Sequence, residues 1–303
     1  MHILVIKTFG YSIQTWLKSG ILDRELSIYR NMIEKYDVKF TILSYGDDTD
    51  LYLIKDSSIN IFPIYKYVNK SKYKIIRILQ SLYFPFIIKK NIDSVDIIKQ
   101  NQLLGSWVSI LLKILIRKPL FIRTGYDMYT FAQHENKSYI KLALYKLLTL
   151  ISIKYSNLYS VSNKNDINKY KKYNVSLRRN WVIDNNYESL DGRFTNRILS
   201  VGRLENQKNY EYLIKEFKDS EFQLDIVGEG GLKSMLTNLA SCQNVKINFL
   251  GKMSNEDLQD LYKKYRFYVS SSCFEGNPKT VLEALSNSCI VIASNIKNHS
   301  ELI

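Results

Sequence analysis

Residues 274–285 read Phe-Glu-Gly-Asn-Pro-Lys-Thr-Val-Leu-Glu-Ala-Leu, directly after a strand-like run, Arg266-Phe-Tyr-Val-Ser-Ser271. The stretch predicts a strand, a Gly-bearing turn and then a helix. Asn277 is positioned to cap that helix, with Pro278 at its first position, where the missing N–H costs nothing. Such a joint presents free amides and the positive end of a helix dipole in a concavity, which suits phosphate. Glu275 falls in the turn and Glu283 about a turn and a half beyond Pro278. Carboxylates do not bind an anion, but they accept from hydroxyls on either side of one, as a sugar and a ribose joined by a diphosphate would offer. The plainer reading is a solvent-facing helical Glu behind an ordinary Asn-Pro helix entry.

Upstream, the same β-α alternation repeats. Strands are predicted at 198–201, 223–227, 245–250 and 267–270, with another at 290–293. Helices are predicted at 209–217, 231–239 and 255–265, the last opening on a Ser254/Asp257 capping box. Repeats of this length imply a parallel sheet with helices on both faces. Its strand-to-helix turns then share one edge. They are Val201-Gly-Arg-Leu204 with Lys208-Asn209, Gly228-Glu-Gly-Gly231, Leu250-Gly-Lys-Met253 and the 274–283 stretch. In the first turn Gly202 allows close backbone approach. Arg203 and Lys208 offer a bidentate fork and a point charge for a diphosphate, although a lone Arg and Lys after a strand are more often surface charges.

The first half repeats the pattern. The run His2 to Thr8 reads as a buried strand, followed by a loop with Gly10 and Gly20, a helix from about Asp23 to Lys35 and a strand at 38–44. Further strands are expected at 95–99, 120–123 and 158–162, with helices at 103–117, 137–156 and 163–173. The turn Arg123-Thr-Gly-Tyr-Asp127 falls beyond a strand's carboxyl end, where ligands of open α/β sheets sit. Asp127 reads either as an acceptor-hydroxyl contact or as the cap of the next helix. Asp48-Thr-Asp50 has the spacing of a metal–nucleotide pair, but turn chemistry accounts for Gly46-Asp-Asp-Thr-Asp50, and no metal site is assigned.

These turns, taken in order, resemble those of the family-4 retaining glycosyltransferases, which have the GT-B fold: two Rossmann-like β/α/β domains with parallel sheets facing across a cleft. The resemblance implies an acceptor-binding domain over residues 1–180 and a nucleotide-sugar domain over 181–303, with Arg178-Arg-Asn-Trp181 as the crossing segment. It implies that Arg203, Lys208, Glu275 and Asp127 are catalytic. Donor contacts are implied for Gly202, Arg203, Lys208, Gly228, Gly230, Gly251, Lys252, Met253, Glu275, Gly276, Asn277, Pro278, Lys279, Thr280 and Glu283, and acceptor-side contacts for Gly20, Tyr126 and Asp127. The implied reaction moves a sugar from a nucleotide-diphosphate sugar to an acceptor hydroxyl with retention, in assembly of a surface polysaccharide, capsule or lipopolysaccharide. No cofactor or metal is implied. The family continues past the segment like Asn298-His-Ser-Glu-Leu302 with more sheet and helix, so the chain reads as C-terminally truncated.

Composition bounds these readings. The chain of 303 residues has room for two cores, and 46% apolar with 24% charged residues is ordinary for a globular protein. Cys242, Cys273 and Cys289 are odd in number and lack ligand spacing, which points to buried thiols in a reducing compartment. The start, Met1-His-Ile-Leu-Val-Ile6, reads as a strand and not as a signal peptide. The apolar run Leu103 to Ile116 is short for a bilayer span and holds Lys113. A cytoplasmic protein, able to sit peripherally on the inner membrane face, is expected.

The net charge of +14 divides into +16 for residues 1–180 and −2 for 181–303. From Ser57 to Ile92 there is no acidic residue. Lysines there alternate with Tyr65, Tyr67, Tyr73, Tyr83, Phe84 and Phe86. Residues 65–90 are therefore expected to contact an anionic membrane, against a solvated helix or a nucleic-acid track. The expected partners are a nucleotide sugar, a glycan or lipid-linked acceptor and that membrane, with no specific nucleic acid. Two other classes fit the residues: a nucleotide-sugar epimerase on the same fold, and a non-catalytic membrane- or nucleic-acid-binding protein with a degenerate nucleotide site.

Overall fold

The computed structural model describes residues 1–54, 58–182 and 189–303; Ser57, the first residue of the acid-free stretch, lies outside them. The chain divides into two units, residues 1–162 with 166–178, and residues 163–165 with 179–303.

The first unit opens with β1 (His2–Ile6), α1 (Ile13–Lys18), α2 (Leu22–Lys35), β2 (Lys39–Ser44) and β3 (Ile59–Pro63). It continues through α3 (Lys74–Ser81), α4 (Phe84–Asn91), β4 (Ile97–Asn101), α5 (Ser106–Ile116) and β5 (Leu120–Arg123). It ends with α6 (Met128–His134), α7 (Tyr139–Tyr155), β6 (Leu158–Val161), α8 (Lys164–Lys169) and β7 (Val175–Leu177). The seven strands run in the order β3-β2-β1-β4-β5-β6-β7 and every pair is parallel.

Why the run at residues 2–8 is a strand is visible in its two faces. Ile3 and Val5 pack with α1 and α2 through Ile13, Trp16, Leu26 and Tyr29. Leu4 and Ile6 pack on the other side with α4 and α5 through Phe84, Ile88, Val108 and Leu112. Alternate residues enter different cores, so a strand covered on both faces is continuously apolar.

The second unit has five strands: β8 (Phe194–Val201), β9 (Gln223–Val227), β10 (Ile247–Gly251), β11 (Tyr265–Ser270) and β12 (Ile290–Ala293). Its helices are α9 (Tyr210–Glu216), α10 (Lys233–Cys242), α11 (Asn255–Tyr262), α12 (Lys279–Ser286) and α13 (Lys297–Ser300). The sheet order is β10-β9-β8-β11-β12, again all parallel. Ile198 belongs to the core under α9 and α10, and Leu199 to the core under α11 and α12. Of the predicted capping box the Ser254 half is formed: its hydroxyl accepts from the Asp257 amide at 3.1 Å and donates to Asp257 Oδ2 at 2.7 Å. The fold class is that expected, GT-B with two Rossmann-like α/β units.

Two expectations are corrected, for Asn277 and for the thiols, and Gly20 and Asp50 take structural roles. Asn277 does not cap α12: the helix starts one residue later, Pro278 is its cap residue, and the Asn277 side-chain oxygen accepts from the Asn180 backbone N–H. Gly20 stands where α1 stops, at φ +68°. Its N–H donates to Leu17 O and that of Ile21 to Trp16 O, a Schellman closure that needs a left-handed residue. The thiols are not all buried, since Cys242 and Cys273 are exposed and only Cys289 is enclosed. Asp50 is a helix cap, its carboxylate accepting from the Ile13 and Gln14 amides at 3.0 Å each and from the Ser44 hydroxyl. No helix among the described residues is long and apolar enough to cross a membrane.

Candidate functional site

In the second unit the chain leaves β8 for β9 on one side, and β11 lies on the other. The carboxyl ends of β8 and β11 therefore flank the point where strand order reverses, the usual crevice of an open parallel sheet. The turns predicted from sequence meet here. Lys208 Nζ donates to Glu275 Oε1 at 2.5 Å, and the Ser272 hydroxyl donates to the same oxygen at 2.7 Å. Gln207 donates to Phe274 O at 2.9 Å and to Glu275 Oε2 at 3.4 Å, while accepting from Arg203. Arg203 also lies 3.0 Å from Glu205 Oε2 and keeps 68% of its side chain exposed. One network thus joins Arg203, Gln207, Lys208 and Glu275.

The backbone around Glu275 is held from three directions. Cys273 N donates to Gln207 O at 2.9 Å. Asn298, from α13, donates its side-chain amide to Glu275 O and to Gly276 O, the latter at 2.7 Å. Asn180 donates its backbone N–H to Asn277 Oδ1 at 2.9 Å and its side-chain amide to Asn277 O at 2.5 Å. Asn277 is buried and its Nδ2 has no partner. Behind the turn lies His299, buried and 3.4 Å from the Ser270 hydroxyl. Burial holds its imidazole below the usual range, against the Ser294 carbonyl and the Glu275 charge.

The glycines of this edge answer to packing. Turns after β8, β9 and β10 are laced together by Gly202 N to Val227 O, Leu204 N to Glu229 O and Gly228 N to Gly251 O. A Cβ on Gly228 would lie 2.0 Å from Gly202 O, and one on Gly230 would lie 2.4 Å from Leu204 O. Gly251 sits at φ +72° with open space around it. Close approach of neighbouring turns therefore demands Gly at 228 and 230 before any ligand is considered.

Glu283 is enclosed. It is 2% exposed and accepts from the Tyr262 hydroxyl at 3.5 Å. Gly276, Asn277 and Pro278 are buried, Lys279, Thr280 and Met253 half-buried, and Lys252 exposed. The eight-residue helix α12 opens directly after the Glu275 turn, so its dipole end belongs to this edge.

In the first unit Asp127 takes the capping role. Its Oδ2 accepts from the Thr130 amide at 3.1 Å, the Thr130 hydroxyl at 2.6 Å and Lys169 Nζ, and Tyr170 donates to Oδ1 at 2.7 Å. Burial pushes the carboxyl up, but Lys169, Thr130 and Tyr170 outweigh it and hold it below the usual range. Tyr126 lines a small hollow with Thr8 and Gln102, beside the carboxyl ends of β1 and β4. Gly20 lies beyond the last turn of α1.

Sequence reading missed Gln207, Ser272, Asn298 and Asn180, which hold the Glu275 turn, and Ser271, whose hydroxyl donates to Lys208 O at 2.7 Å. It also passed over Lys7, the one charge in the run from Ile3 to Lys7, which is buried with Nζ 2.6 Å from Ser12 O and 3.4 Å above the Trp16 ring. A lysine at the end of an apolar strand was the available signal. Among the described residues no group of three or more His, Cys, Asp or Glu could hold a metal ion.

Residues 192–303 match the family model described as Glycosyl transferases group 1. A Campylobacter jejuni undecaprenol-linked α-1,4-N-acetyl-D-galactosaminyltransferase is 26% identical over 61% of this chain and 52% of its own length. The chain thus spans about half of that relative. An uncharacterized glycosyltransferase of Haemophilus influenzae is 25% identical over 96% of this chain and 81% of its own. The solved structure of Anabaena HepE with UDP and glucose superposes with a TM-score of 0.73 at 14% identity, covering 100% of this chain and 83% of that one. The chain therefore has the GT-B fold, and its residues 192–303 match the glycosyl transferases group 1 domain.

Proposed function

We propose that the protein transfers a sugar from a nucleotide-diphosphate sugar to an acceptor hydroxyl, with retention, as a member of the family-4 glycosyltransferases. The observation that carries the reading is the Arg203-Gln207-Lys208-Glu275 network at the strand-order reversal of the second unit. Breaking a glycosyl–diphosphate bond leaves negative charge on the departing oxygen and an oxocarbenium-like sugar. Arg203, Lys208 and the amide N–H groups of Gly276, Asn277 and Lys279 would supply positive charge for the first, and the reading asks for no metal. Glu275 would accept from sugar hydroxyls with its orientation fixed by Ser272 and Gln207, and Glu283 from the ribose. Lys208 would divide its charge between Glu275 and the diphosphate, so donor binding and sugar orientation are coupled in one side chain.

The donor is proposed to be a UDP-sugar, supported by the UDP of the Anabaena structure, and the acceptor a glycan on a lipid carrier in surface-polysaccharide assembly, supported by the undecaprenol-linked acceptor in the Campylobacter relative's name. The test is thermal unfolding with UDP, GDP and their sugar conjugates, for the wild type, Lys208→Ala and Arg203→Ala. A nucleotide that binds only the folded chain stabilises it by about 2.7 kcal/mol at a hundred times its Kd. A rise with UDP that both variants lose supports the reading; an unchanged midpoint with every nucleotide overturns it.

A further inference from the structure

The first unit carries an apolar surface unlike the rest of the molecule. Along α3 and into α4, Ile75, Leu79, Leu82 and Phe86 recur at i, i+4, i+7 and i+11, and all four are exposed. The backbone stays right-handed helical through Leu82 and Tyr83, so the spacing keeps them on one side. Along α7, Ile140, Leu144, Leu147 and Ile151 recur with the same spacing and are also exposed. Helix α3 touches α4, α4 packs on α5, and α5 packs on α7, so the two stripes belong to one helical layer. Leu111 and Ile114 of α5 extend the exposed apolar surface between them. Single exposed apolar residues are normal, but two complete helical stripes in one layer mark a surface that meets something apolar.

Charge selects what it meets. Residues 65–155 hold sixteen Lys and Arg against four Asp and Glu. Lys72 and Lys74 stand beside the first stripe and Lys141 and Lys146 beside the second, all exposed. A second copy would set lysine against lysine. Nucleic acid would supply the negative charge, and Tyr73, Tyr83 and Phe86 are exposed, but seven of the eight stripe residues are aliphatic and offer bases no face to stack on. An anionic bilayer satisfies both features, taking aliphatic side chains into its interface and lysines at its headgroups.

We propose that the layer formed by α3, α4, α5 and α7 docks on an anionic lipid surface, with the Ile75–Phe86 and Ile140–Ile151 stripes entering the interface and the flanking lysines on the headgroups. The surface lies wholly in the first unit and does not depend on the nucleotide reading of the second.

The test is co-sedimentation of the full chain with vesicles of phosphatidylcholine alone and of phosphatidylcholine mixed with phosphatidylglycerol. The variants are Ile75→Glu with Leu79→Glu, and Leu144→Glu with Leu147→Glu. Wild type is expected to partition onto the anionic vesicles, weakly onto the neutral ones, and less as ionic strength rises. Each double variant lowers the partition coefficient roughly tenfold or more. The substituted positions are exposed, so the thermal midpoint, and any shift with UDP, stay at the wild-type values. Wild type that remains in solution with anionic vesicles at low salt overturns the proposal, as do double variants that bind like wild type. Loss of self-association in the variants without vesicle binding by the wild type would assign the face to a second copy. Salt-sensitive RNA binding lost in the same variants, again without vesicle binding, would assign it to nucleic acid.

Discussion

Lys208 Nζ donates to Glu275 Oε1 at 2.5 Å, an ion pair between turns that lie 67 residues apart in the sequence. Only 15% of the Lys208 side chain and 9% of that of Glu275 reach solvent. Removing either partner leaves a mostly buried charge alone, which costs more than the pair itself contributes. Lys208→Ala and Glu275→Ala are each expected to lower stability by roughly 2–4 kcal/mol, while the double variant loses less than their sum. Urea unfolding of the four proteins in a double-mutant cycle reads the coupling, expected at about 1–3 kcal/mol. Additive losses would mean that the two turns are held by their backbone bonds and that the pair is incidental.

Three glycines of the same edge are expected to respond in graded order. Gly228→Ala places a Cβ 2.0 Å from Gly202 O at φ +142°, with backbone on both sides of the clash, and is expected to cost more than about 3 kcal/mol. Gly251→Ala meets no atom within 4 Å but adopts φ +72°, so the left-handed penalty of about 1–2 kcal/mol stands alone. Gly231→Ala has open space and is expected to stay within about 0.5 kcal/mol of wild type. Denaturant midpoints for the three variants check the order. Equal losses at 228 and 231 would remove packing as the reason for the Gly-x-Gly turn.

The same contrast shows what the sequence could and could not convey. Apolar runs announced β5 and β12 to the residue and β1 to within two, and a strand such as β1, buried on both faces, is written locally. The three-residue β7 and the Pro-ended β3 carry too few side chains to stand out. The turns that build the site were legible from Gly and charge placement, and the Lys208–Glu275 pair arises where two of them converge. What each turn side chain binds was not legible. Asn277 sits where a cap residue belongs, yet the Asn180 amide, 97 residues away, takes its oxygen. Asp127 suits either a ligand or a cap, and Lys169 and Tyr170 from beyond β6 join its capping bonds. Local spacing places a polar group; distant chain decides its partner.

Acid stability is expected to rest on Asp127 and Asp225. Burial raises both carboxyls, and their donors more than offset it: Lys169, Thr130 and Tyr170 for Asp127, and Arg197, Tyr265 and Gln223 for Asp225. Both folded values lie below the unfolded carboxylate value of about 3.9. The stabilisation is therefore complete above that value and is lost as pH falls through the depressed folded values. Asp225→Asn is expected to flatten the acid limb of the stability curve while lowering the plateau at neutral pH. Urea midpoints taken from neutral to acid pH measure both, and an acid limb unchanged in the variant would move the effect to other carboxylates.

Lys7 is expected to act in the opposite direction. Burial lowers its pKa from 10.5 to about 7, with the charges of Asp50 and Glu25 opposing the shift. Below about 7 the ammonium is charged in both states and the folded chain bears the full burial penalty. Between the two values the unfolded chain holds the proton and the folded chain releases it, so stability climbs with pH. The slope cannot exceed about 1.4 kcal/mol per pH unit for one group. Tyrosines with raised values, such as Tyr159 and Tyr210, oppose the climb only once unfolded tyrosine begins to ionise near its ordinary 10.0. The urea midpoint of wild type is thus expected to rise from neutral pH to about 9.5, and that of Lys7→Met to rise less by the share Lys7 contributes. Wild type and variant with the same slope would mean that the Ser12 carbonyl and the Trp16 ring keep Lys7 charged inside the fold, and that β1 ends on a buried cation at physiological pH.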